Sequence, residues 1–379
     1  MENDQRPNRW IGCEIENHYF GEERKNEKAA RKHASAKDRS KYKKTDQRKE
    51  SNQPQEFKGD RSNLKRGRVI SITSGGIIVN IDNAIYTCQL RGLLKKEKTQ
   101  FKNLVTVGDH VLVEVSSNNE GSIAHIEQRR TVLSRAENLS RRKEQLIASN
   151  VDQVIITVSV VSPPLKSSLI DRYIIAAQKG GMEPIIVVNK IDLLNSPDVD
   201  PQLIEQEKAV YKEVLKAYAQ AGIPLIGAST LTGEGIDLLR DRMQNKTSVF
   251  SGQSGVGKSS LINEITGGSL RIGDIVKKTN KGSHTTTVAN LLQLDSGGWC
   301  IDTPGIKSFG VWDLSKDEVE EYFPEIFTCG HNCRFPDCSH LHEEGCAVHD
   351  AVENGDISPL RYESYLMLMQ SIGEDHFRR

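Results

Sequence analysis

Hydrophobic and polar positions alternate over short distances between residues 67 and 126 of this 379-residue chain. Five runs rich in β-branched residues read "GRVISI" (67–72), "GIIVNI" (76–81), "AIYTCQL" (84–90), "DHVLVEV" (109–115) and "SIAHI" (122–126). Turn formers such as Ser74-Gly75-Gly76 and Asp82-Asn83 separate them. Five closely spaced strands predict a small closed barrel, and the oligonucleotide-binding (OB) barrel is the commonest five-stranded plan of this kind.

A different pattern begins after the segment "RRTVLSRAENLSRRKE" (129–144). The continuous apolar run 151–161 is expected for a strand that is buried on both faces. Strand and helix patterns then alternate: helix 167–181, strand 183–190, helix 201–221, strand 223–229, helix 235–243, strand 247–251 and a helix from Lys258. This succession predicts a parallel sheet that is covered by helices on both sides.

Charge is balanced overall, with 51 basic and 51 acidic residues, but it is unevenly distributed. Residues 24–49 carry twelve Lys or Arg against three Asp or Glu, and we expect so polar a segment to be disordered when free. It is either a solubilising tail or an electrostatic arm for RNA or DNA. In the predicted barrel, the basic loop 91–102 favours nucleic-acid binding over a purely structural role.

The chain shows neither a membrane span nor a targeting segment by pattern. No apolar run approaches the ~20 residues of a membrane helix. Residues 1–20 hold four acidic residues and no apolar stretch of signal length. We therefore expect a cytoplasmic protein without membrane contact.

The motif "GQSGVGKSS" follows a predicted strand and precedes a predicted helix, as a phosphate-binding loop requires. Its glycines let backbone amides surround phosphate oxygens, Lys258 reaches the β- and γ-phosphates, and Ser259 offers a hydroxyl to Mg²⁺. The predicted nucleotide-binding residues of this loop are Gly252, Gln253, Ser254, Gly255, Val256, Gly257, Lys258, Ser259 and Ser260.

The run "VVNKID" (187–192) ends another predicted strand. Asp192 can accept two hydrogen bonds from guanine N1 and N2, which adenine does not offer, while Asn189 and Lys190 can hold N7 and the ring plane. Doubly wound sheets bind ligands at the carboxyl ends of their strands, where this motif lies. The pattern predicts guanine recognition.

Two further segments complete a GTPase set. In "WCIDTPGIKSFG" (299–310), Asp302 can hold Mg²⁺ through water and the Gly305 amide can sense the γ-phosphate. In "KGSHTTTVANLL" (281–292), Thr286 or Thr287 can complete the Mg²⁺ shell, although a threonine triplet also suits a polar turn. Because the base motif precedes the phosphate loop, we interpret the order as a circular permutation, which close domain termini permit.

Four of the seven cysteines fall within residues 329–346, and such clustering favours a metal site over disulfides in a chain without a signal peptide. Cys333, Cys338, His340 and Cys346 offer three thiolates and one imidazole, a set that closes a tetrahedral Zn²⁺ shell. Cys329, His331 and His342 are further candidates. We predict one structural zinc ion that supports folding of this segment.

From about residue 65 to its C-terminus, the sequence resembles the RsgA family of circularly permuted GTPases of small ribosomal subunit biogenesis, also called YjeQ or YloQ. The matching stretches are the "RG" of 91–92, "NLVTVGDHV" (103–111), NKID, the phosphate loop, "HTTT", "DTPG" and the cysteine cluster. The resemblance implies a multidomain chain. Its parts would be a basic disordered arm outside the resemblance (1–62), an all-β OB barrel (63–132), an α/β permuted P-loop GTPase domain (133–322) and a small α-helical zinc domain (323–379).

The resemblance also implies an activity and its cofactors. The chain would be a monomeric GTP hydrolase, producing GDP and phosphate, stimulated by the small (30S) subunit and acting late in its assembly. Its barrel and zinc domain would bind 16S rRNA. Mg²⁺ would accompany GTP on Ser259, Thr286 and Asp302, and Zn²⁺ would lie on Cys333, Cys338, His340 and Cys346.

Two positions set this chain apart from the usual GTPase pattern. The guanine-supporting segment reads Ser229-Thr230 where the family usually has Ser-Ala, so the amide that contacts guanine O6 stays open. Ile306 stands where many GTPases place a water-positioning glutamine. The resemblance and the sequence both favour His284 for that task, with Lys258 and Thr286 as its catalytic partners; the alternative is a surface histidine in a mobile loop.

Two other classes of function remain open from the residues. The chain can be a non-enzymatic RNA-binding module whose nucleotide site only changes its affinity. It can also be an unrelated P-loop ATPase in which NKID occurs by chance. A GTPase explains more of the motifs than either.

Overall fold

The computed structural model describes residues 62–92, 103–116, 119–136, 144–267, 289–302 and 314–374. The basic arm, most of the basic loop 91–102, His284, Thr286, Thr287 and Gly305 lie outside the described residues. No helix within the described ranges has the length and apolar character that a membrane crossing requires.

The first five strands close into a barrel. They are β1 (Leu64–Thr73), β2 (Gly76–Ile81), β3 (Ala84–Leu90), β4 (His110–Val115) and β5 (Glu120–Ile126). Their order is β1-β2-β3-β5-β4, and β4 pairs back with β1; all pairs are antiparallel except β3 with β5. Val69, Val79, Val111, Val113 and Ile123 are fully buried in its core. The predicted five-stranded OB barrel is confirmed.

A hairpin that the sequence patterns did not predict joins the barrel to the next domain. It consists of β6 (Val132–Ala136) and β7 (Glu144–Ser149). Its Ser149 donates a hydrogen bond to buried Asp109, which also accepts one from Arg129 at 2.7 Å. Gly108 has φ +93°, and a Cβ there would lie 2.1 Å from the Ser149 carbonyl oxygen. A glycine is therefore required where barrel and hairpin meet.

Six further strands continue the same eleven-stranded sheet in the order β10-β9-β8-β11-β13-β12, and we call this part the GTPase sheet. They are β8 (Gln153–Ser159), β9 (Glu183–Asn189), β10 (Leu225–Gly227), β11 (Thr247–Ser251), β12 (Asn290–Gln293) and β13 (Trp299–Asp302). The first five in this order are parallel, and β12 is antiparallel to β13. Every residue of β8 is buried, as the continuous apolar run predicts.

Helices cover both faces of this sheet, as predicted. On one face lie α1 (Ser167–Lys179) and α2 (Pro201–Gln220), and on the other lie α3 (Ile236–Met243) and α4 (Lys258–Ile265). Side chains of β8 alternate between the two cores: Val154 and Ile156 pack with α1 and α2, and Ile155 packs with α3 and α4. Because successive side chains of a strand point to opposite faces, the apolar strand β8 contributes to the cores on both sides of the sheet.

The C-terminal part is helical. It contains α5 (Lys316–Val319), a 3₁₀ turn (Glu320–Tyr322), α6 (Pro324–Gly330), α7 (Ala347–Glu353) and α8 (Pro359–Glu374). Val319, Phe323 and Tyr365 share one core with Cys333 and Cys346. The long helix α8 packs against α1, so this part lies directly on the GTPase-like domain.

Candidate nucleotide site and metal centre

The phosphate loop lies between β11 and α4, as the sequence predicts. Gly252, Gly255 and Gly257 have φ values of +145°, +87° and +90°, which side chains with a Cβ rarely adopt. A Cβ at Gly252 would lie 2.0 Å from the Thr157 carbonyl oxygen. The glycines therefore serve both the loop conformation and its close approach to the neighbouring strand β8.

Lys258, at the first position of α4, lies against the loop. Its Nζ donates hydrogen bonds to the carbonyl oxygens of Gly252 at 2.8 Å and Gln253 at 2.6 Å. Burial lowers the pKa of Lys258. Ser259 and Ser260 follow it in the first turn of the helix and are exposed. Charge and hydroxyl groups are thus grouped at the helix N-terminus, where anions bind favourably.

The NKID motif contacts the phosphate loop directly, although 67 residues separate the two in sequence. Asn189 ends β9, is 1% exposed, and its Nδ2 donates to the Val256 carbonyl oxygen at 2.9 Å. A Cβ at Gly257 would lie 2.3 Å from the same Nδ2. The two predicted motifs therefore form one site at the carboxyl ends of β9 and β11.

Lys190 and Asp192 extend this site. Lys190 has a left-handed backbone (φ +64°), and its Nζ donates to the Ser162 carbonyl oxygen at 2.7 Å. Asp192 accepts a hydrogen bond from the Ser229 hydroxyl at 2.5 Å. The sequence analysis did not identify Ser162; Pro163 and Pro164 after the β8 run were the available signal, because a rigid turn there returns the chain to the site.

Ser229 organises the turn that follows β10. Its buried hydroxyl accepts hydrogen bonds from the amides of Leu231 and Thr232, both at 3.2 Å, while donating to Asp192. The Gly233 amide donates to the Ser229 carbonyl, and the Ser229 amide donates to Glu234. Among the amides of residues 229–233, only that of Thr230 has no acceptor within the described residues. The Thr230 amide is therefore the candidate in this turn for a hydrogen bond to guanine O6.

Of the residues predicted to bind Mg²⁺, Ser259 and Asp302 lie within the described ranges and Thr286 does not. Asp302 is the last residue of β13, and β13 runs parallel to β11 with Val249 opposite Ile301. The carboxyl ends of the two strands therefore lie at one sheet edge, beside the phosphate loop. The predicted roles of Thr286, His284 and Gly305 stay predictions.

The cysteine cluster converges in space. The ligand atoms of Cys333, Cys338, His340 and Cys346 all lie within 4.8 Å of one another. The Cys333 and Cys346 sulfurs are 3.9 Å apart, and each lies 3.4 Å from His340 Nδ1. Tetrahedral Zn²⁺ with ~2.3 Å bonds to sulfur separates two sulfurs by roughly 3.8 Å. The donor set and its spacing fit one zinc ion.

The surroundings hold these ligands in place. His340 Nε2 lies 3.5 Å from the Glu320 carboxylate, an arrangement that orients a metal-bound imidazole. The hydroxyl of Tyr362 donates to the His340 carbonyl oxygen at 2.7 Å. Cys329 instead donates its thiol to the Ala347 carbonyl oxygen and is not among the four clustered donors.

Glu343 fastens the loop between the ligands. It accepts hydrogen bonds from the Ser339 hydroxyl and from the amides of Ser339, Leu341 and His342. Burial by itself would raise the pKa of Glu343, but these hydrogen bonds lower it to about 2. The carboxylate is therefore charged at neutral pH and fixes the backbone on either side of His340.

A buried ionic network joins this part to the GTPase-like domain. Arg361 of α8 pairs with Asp171 of α1 and donates to Glu325 at 2.6 Å, and its guanidinium lies 4.3 Å from the Phe323 ring centroid. Burial by itself lowers the pKa of Arg361, but the two carboxylates raise it, so the guanidinium keeps its charge. Asp171 within the apolar helix pattern was the sequence signal for this contact.

Comparison with known proteins agrees with this architecture. The family model described as RsgA GTPase matches residues 126–312, and the RsgA N-terminal domain model matches residues 66–123. "Small ribosomal subunit biogenesis GTPase RsgA" of Bacteroides fragilis is 35% identical over 316 residues, covering 83% of this chain and 99% of the relative. The protein of the same name in Chlorobaculum tepidum is 38% identical, covering 80% and 99%.

Solved structures show the same relationship. YjeQ from Thermotoga maritima superposes with a TM-score of 0.63 at 32% identity, covering 82% of this chain and 98% of that structure. YloQ, described as a circularly permuted GTPase, superposes with a TM-score of 0.62 at 27% identity, covering 84% and 98%. The predicted permutation, the three-part fold and the GTPase activity are confirmed. The chain belongs to the RsgA family of circularly permuted GTPases.

Proposed function

We propose that this GTPase acts in late maturation of the small (30S) ribosomal subunit and that the subunit accelerates its hydrolysis of GTP. The contact between Asn189 and Val256 carries the nucleotide part of this proposal, because it joins the guanine motif and the phosphate loop in one site. The ribosomal part rests on the relatives, which are named small ribosomal subunit biogenesis GTPases.

We assign guanine recognition to Asn189, Lys190, Asp192 and Ser229, with the Thr230 amide facing O6. The loop residues 252–260 bind the phosphates, and Gly305 senses the γ-phosphate. Ser259, Thr286 and Asp302 hold Mg²⁺, which neutralises charge on the β- and γ-phosphates when it is bound. The grouping of β11, α4 and the end of β13 at one sheet edge supports this assignment.

Hydrolysis needs a group that orients the attacking water. Since Ile306 cannot do this, we assign the task to His284 as a general base or hydrogen-bond acceptor. Lys258 stabilises charge that develops on the transferred phosphoryl group, and Thr286 would complete the coordination of Mg²⁺.

One structural zinc ion would lie on Cys333, Cys338, His340 and Cys346. The sulfur spacing and the Glu320 contact support this choice over Cys329, His331 or His342. Four protein ligands leave no open position, so the ion stabilises the fold and does not act on substrate.

We divide the chain into a basic arm (1–62), a barrel (63–132), a GTPase domain (133–322) and a C-terminal zinc domain (323–379). Because Val319 packs in the zinc-domain core, the last domain can begin as early as Leu314.

Barrel and zinc domain would contact 16S rRNA while the chain works as a cytoplasmic monomer. Deletion of residues 24–49 tests the arm, since a phosphate-binding arm contributes to the salt slope of RNA binding.

The decisive experiment is GTP turnover with and without purified small subunits. We expect wild-type turnover to rise with added subunits, and His284→Ala to lose hydrolysis while keeping GTP affinity. GTP turnover that does not change when small subunits are added contradicts the ribosomal proposal. Normal turnover in His284→Ala contradicts only the assignment of the histidine.

A further inference from the structure

The barrel is hydrogen-bonded to the GTPase sheet near both ends of the sheet's strands, through Ser71 and through Arg68. Within the described residues, strand β1 of the barrel pairs with β12 at one register position, where Ser71 lies opposite Asn290. The Ser71 hydroxyl, which is fully buried, donates to the Asn290 side-chain oxygen at 2.8 Å. Because Ser71 belongs to the barrel and Asn290 to the GTPase sheet, a small movement of the barrel can alter this hydrogen bond.

This joint lies beside the Mg²⁺ end of the nucleotide site. In the next pairing of the sheet, Asn290 lies opposite Asp302, the residue assigned to Mg²⁺. With neighbouring strands ~4.8 Å apart, the backbones of Ser71 and Asp302 are separated by about 10 Å. Asn290 also follows Thr286, the other assigned Mg²⁺ ligand, by four positions in the chain.

A second contact fixes the other end of the same strands. Arg68 donates to the Thr247 hydroxyl at 2.8 Å, at the start of β11, and its guanidinium lies 5.4 Å from the Trp299 ring centroid, at the start of β13. Burial lowers the pKa of Arg68 to about 10, so it stays charged at neutral pH. Arg68 therefore anchors the barrel at the first residues of β11 and β13, and Ser71 pairs near the end of β13 that carries Asp302.

We propose that Ser71 and Asn290 are positioning residues for GTP hydrolysis, through which the barrel sets the place of β12 and of Asp302 at the end of β13. A ligand held by the barrel would change Mg²⁺ binding through this pair. The extension to ribosomal stimulation rests on the proposed function above. Coupling between two sites commonly changes an affinity about 5- to 150-fold.

The test compares Ser71→Ala, Asn290→Ala and the double variant with Thr73→Val. Thr73 lies on the same strand, but its hydroxyl donates within the barrel, to the Gly76 carbonyl oxygen, so it serves as the matched control. The first measurement is basal GTP turnover against Mg²⁺ concentration, which requires no subunit. Thermal unfolding of each variant separates loss of the pair from loss of the fold.

We expect the Mg²⁺ concentration for half-maximal turnover to rise about five- to tenfold in each single variant. The double variant should show no more than the shift of Asn290→Ala, because Ser71→Ala removes a hydrogen bond that Asn290→Ala has already removed. Thr73→Val should match wild type. An unchanged Mg²⁺ dependence, additive effects, or an equal shift in Thr73→Val overturns the proposal.

The second measurement is turnover with saturating small subunits. We expect Ser71→Ala to lose several-fold of the stimulation that wild type shows, with GTP affinity retained. Full stimulation in Ser71→Ala overturns the coupling. If wild type itself is not stimulated, the ribosomal proposal fails, while the Mg²⁺ titration still decides the role of the pair.

Discussion

At the scale of single residues, Ser229 carries more of the nucleotide site than its motif position suggests. One hydroxyl donates to Asp192 and accepts from the amides of Leu231 and Thr232. It therefore orients the carboxylate that we assign to guanine recognition and shapes the turn that contains Thr230. Asn189 has a similar double role, because its side chain both belongs to the base motif and holds the phosphate loop.

Replacement of this hydroxyl tests the arrangement. We expect Ser229→Ala to weaken GTP binding about tenfold, or ~1.4 kcal/mol, because Asp192 loses its orienting donor and two amides lose their acceptor. ATP binding should stay as weak as in wild type. Equilibrium titration with both nucleotides measures this.

Thr230→Ala is the matched control, since its side chain makes no hydrogen bond within the described residues and the amide remains. It should bind GTP as wild type does. Equal losses in the two variants would show that the turn, rather than the Ser229 hydroxyl, governs affinity.

At the scale of elements, the close packing of β8, β9 and the phosphate loop explains why glycine is needed. The loop passes so near Thr157 and Asn189 that a single methyl group would overlap them. The left-handed backbone of Gly257 adds strain for any other residue. The backbone conformation of the loop and its close contacts therefore both require glycine at these positions.

Gly257→Ala should lower GTP affinity at least a hundredfold, because the new Cβ displaces Asn189 from Val256. Gly267→Ala provides the control: it also has positive φ (+62°), but a Cβ there meets no atom within 4 Å. It should cost about 1 kcal/mol of stability and leave GTP binding intact. Titration with GTP measures the effect of the contact with Asn189, and urea unfolding measures the cost of backbone strain in both variants. Equal losses of GTP affinity in the two variants would contradict this explanation.

At the scale of the whole molecule, the GTPase domain is held between two partners. The barrel contacts the sheet edge through Arg68 and Ser71, and the zinc domain packs its α8 on α1 around Arg361. The predicted zinc ligands Cys333 and Cys346 share a core with Phe323, whose ring also packs on the Arg361 guanidinium. We therefore expect loss of a zinc ion from these ligands to disturb the contact between α8 and α1 through the packing of this core.

Arg361→Met should destabilise the protein by about 3–5 kcal/mol, since it leaves the buried carboxylate of Asp171 without its cationic partner. The Asp171→Asn/Arg361→Met double variant should lose less than the sum of the two single variants. Urea unfolding gives these values. Arg66→Met is the control, because its ion pair with Glu127 is exposed and should change stability by less than 1 kcal/mol.

Removal of zinc should unfold the C-terminal helices and leave GTP binding intact, because the nucleotide contacts lie in the other domain. Cys346→Ser should reduce bound zinc from about one ion per chain to none, and circular dichroism should report lost helix. Cys329→Ser should keep its zinc, since this thiol hydrogen-bonds to Ala347 instead. Zinc loss in Cys329→Ser would contradict the assigned ligand set.

Much of the fold follows from local patterns. Period-two and continuous apolar runs predicted all five barrel strands and the parallel strands β8, β9 and β11, because burial on one or both faces leaves a signature within a few residues. The phosphate loop and NKID were recognisable because their chemistry needs fixed spacings. The hairpin β6–β7 was missed, since the polar segment 129–144, which contains β6 and the first residue of β7, shows neither period.

The sequence by itself determined the parts of this protein: a barrel, a permuted GTPase with a guanine motif, and a cysteine-rich segment. Only the tertiary structure decided which parts touch. The contact of Asn189 with Val256, the pairing of Asp171 with Arg361 across 190 residues and the hydrogen bond of Ser71 with Asn290 depend on how distant segments pack together. Local patterns cannot encode such contacts, because each partner has the same neighbours in sequence whether or not the other is near.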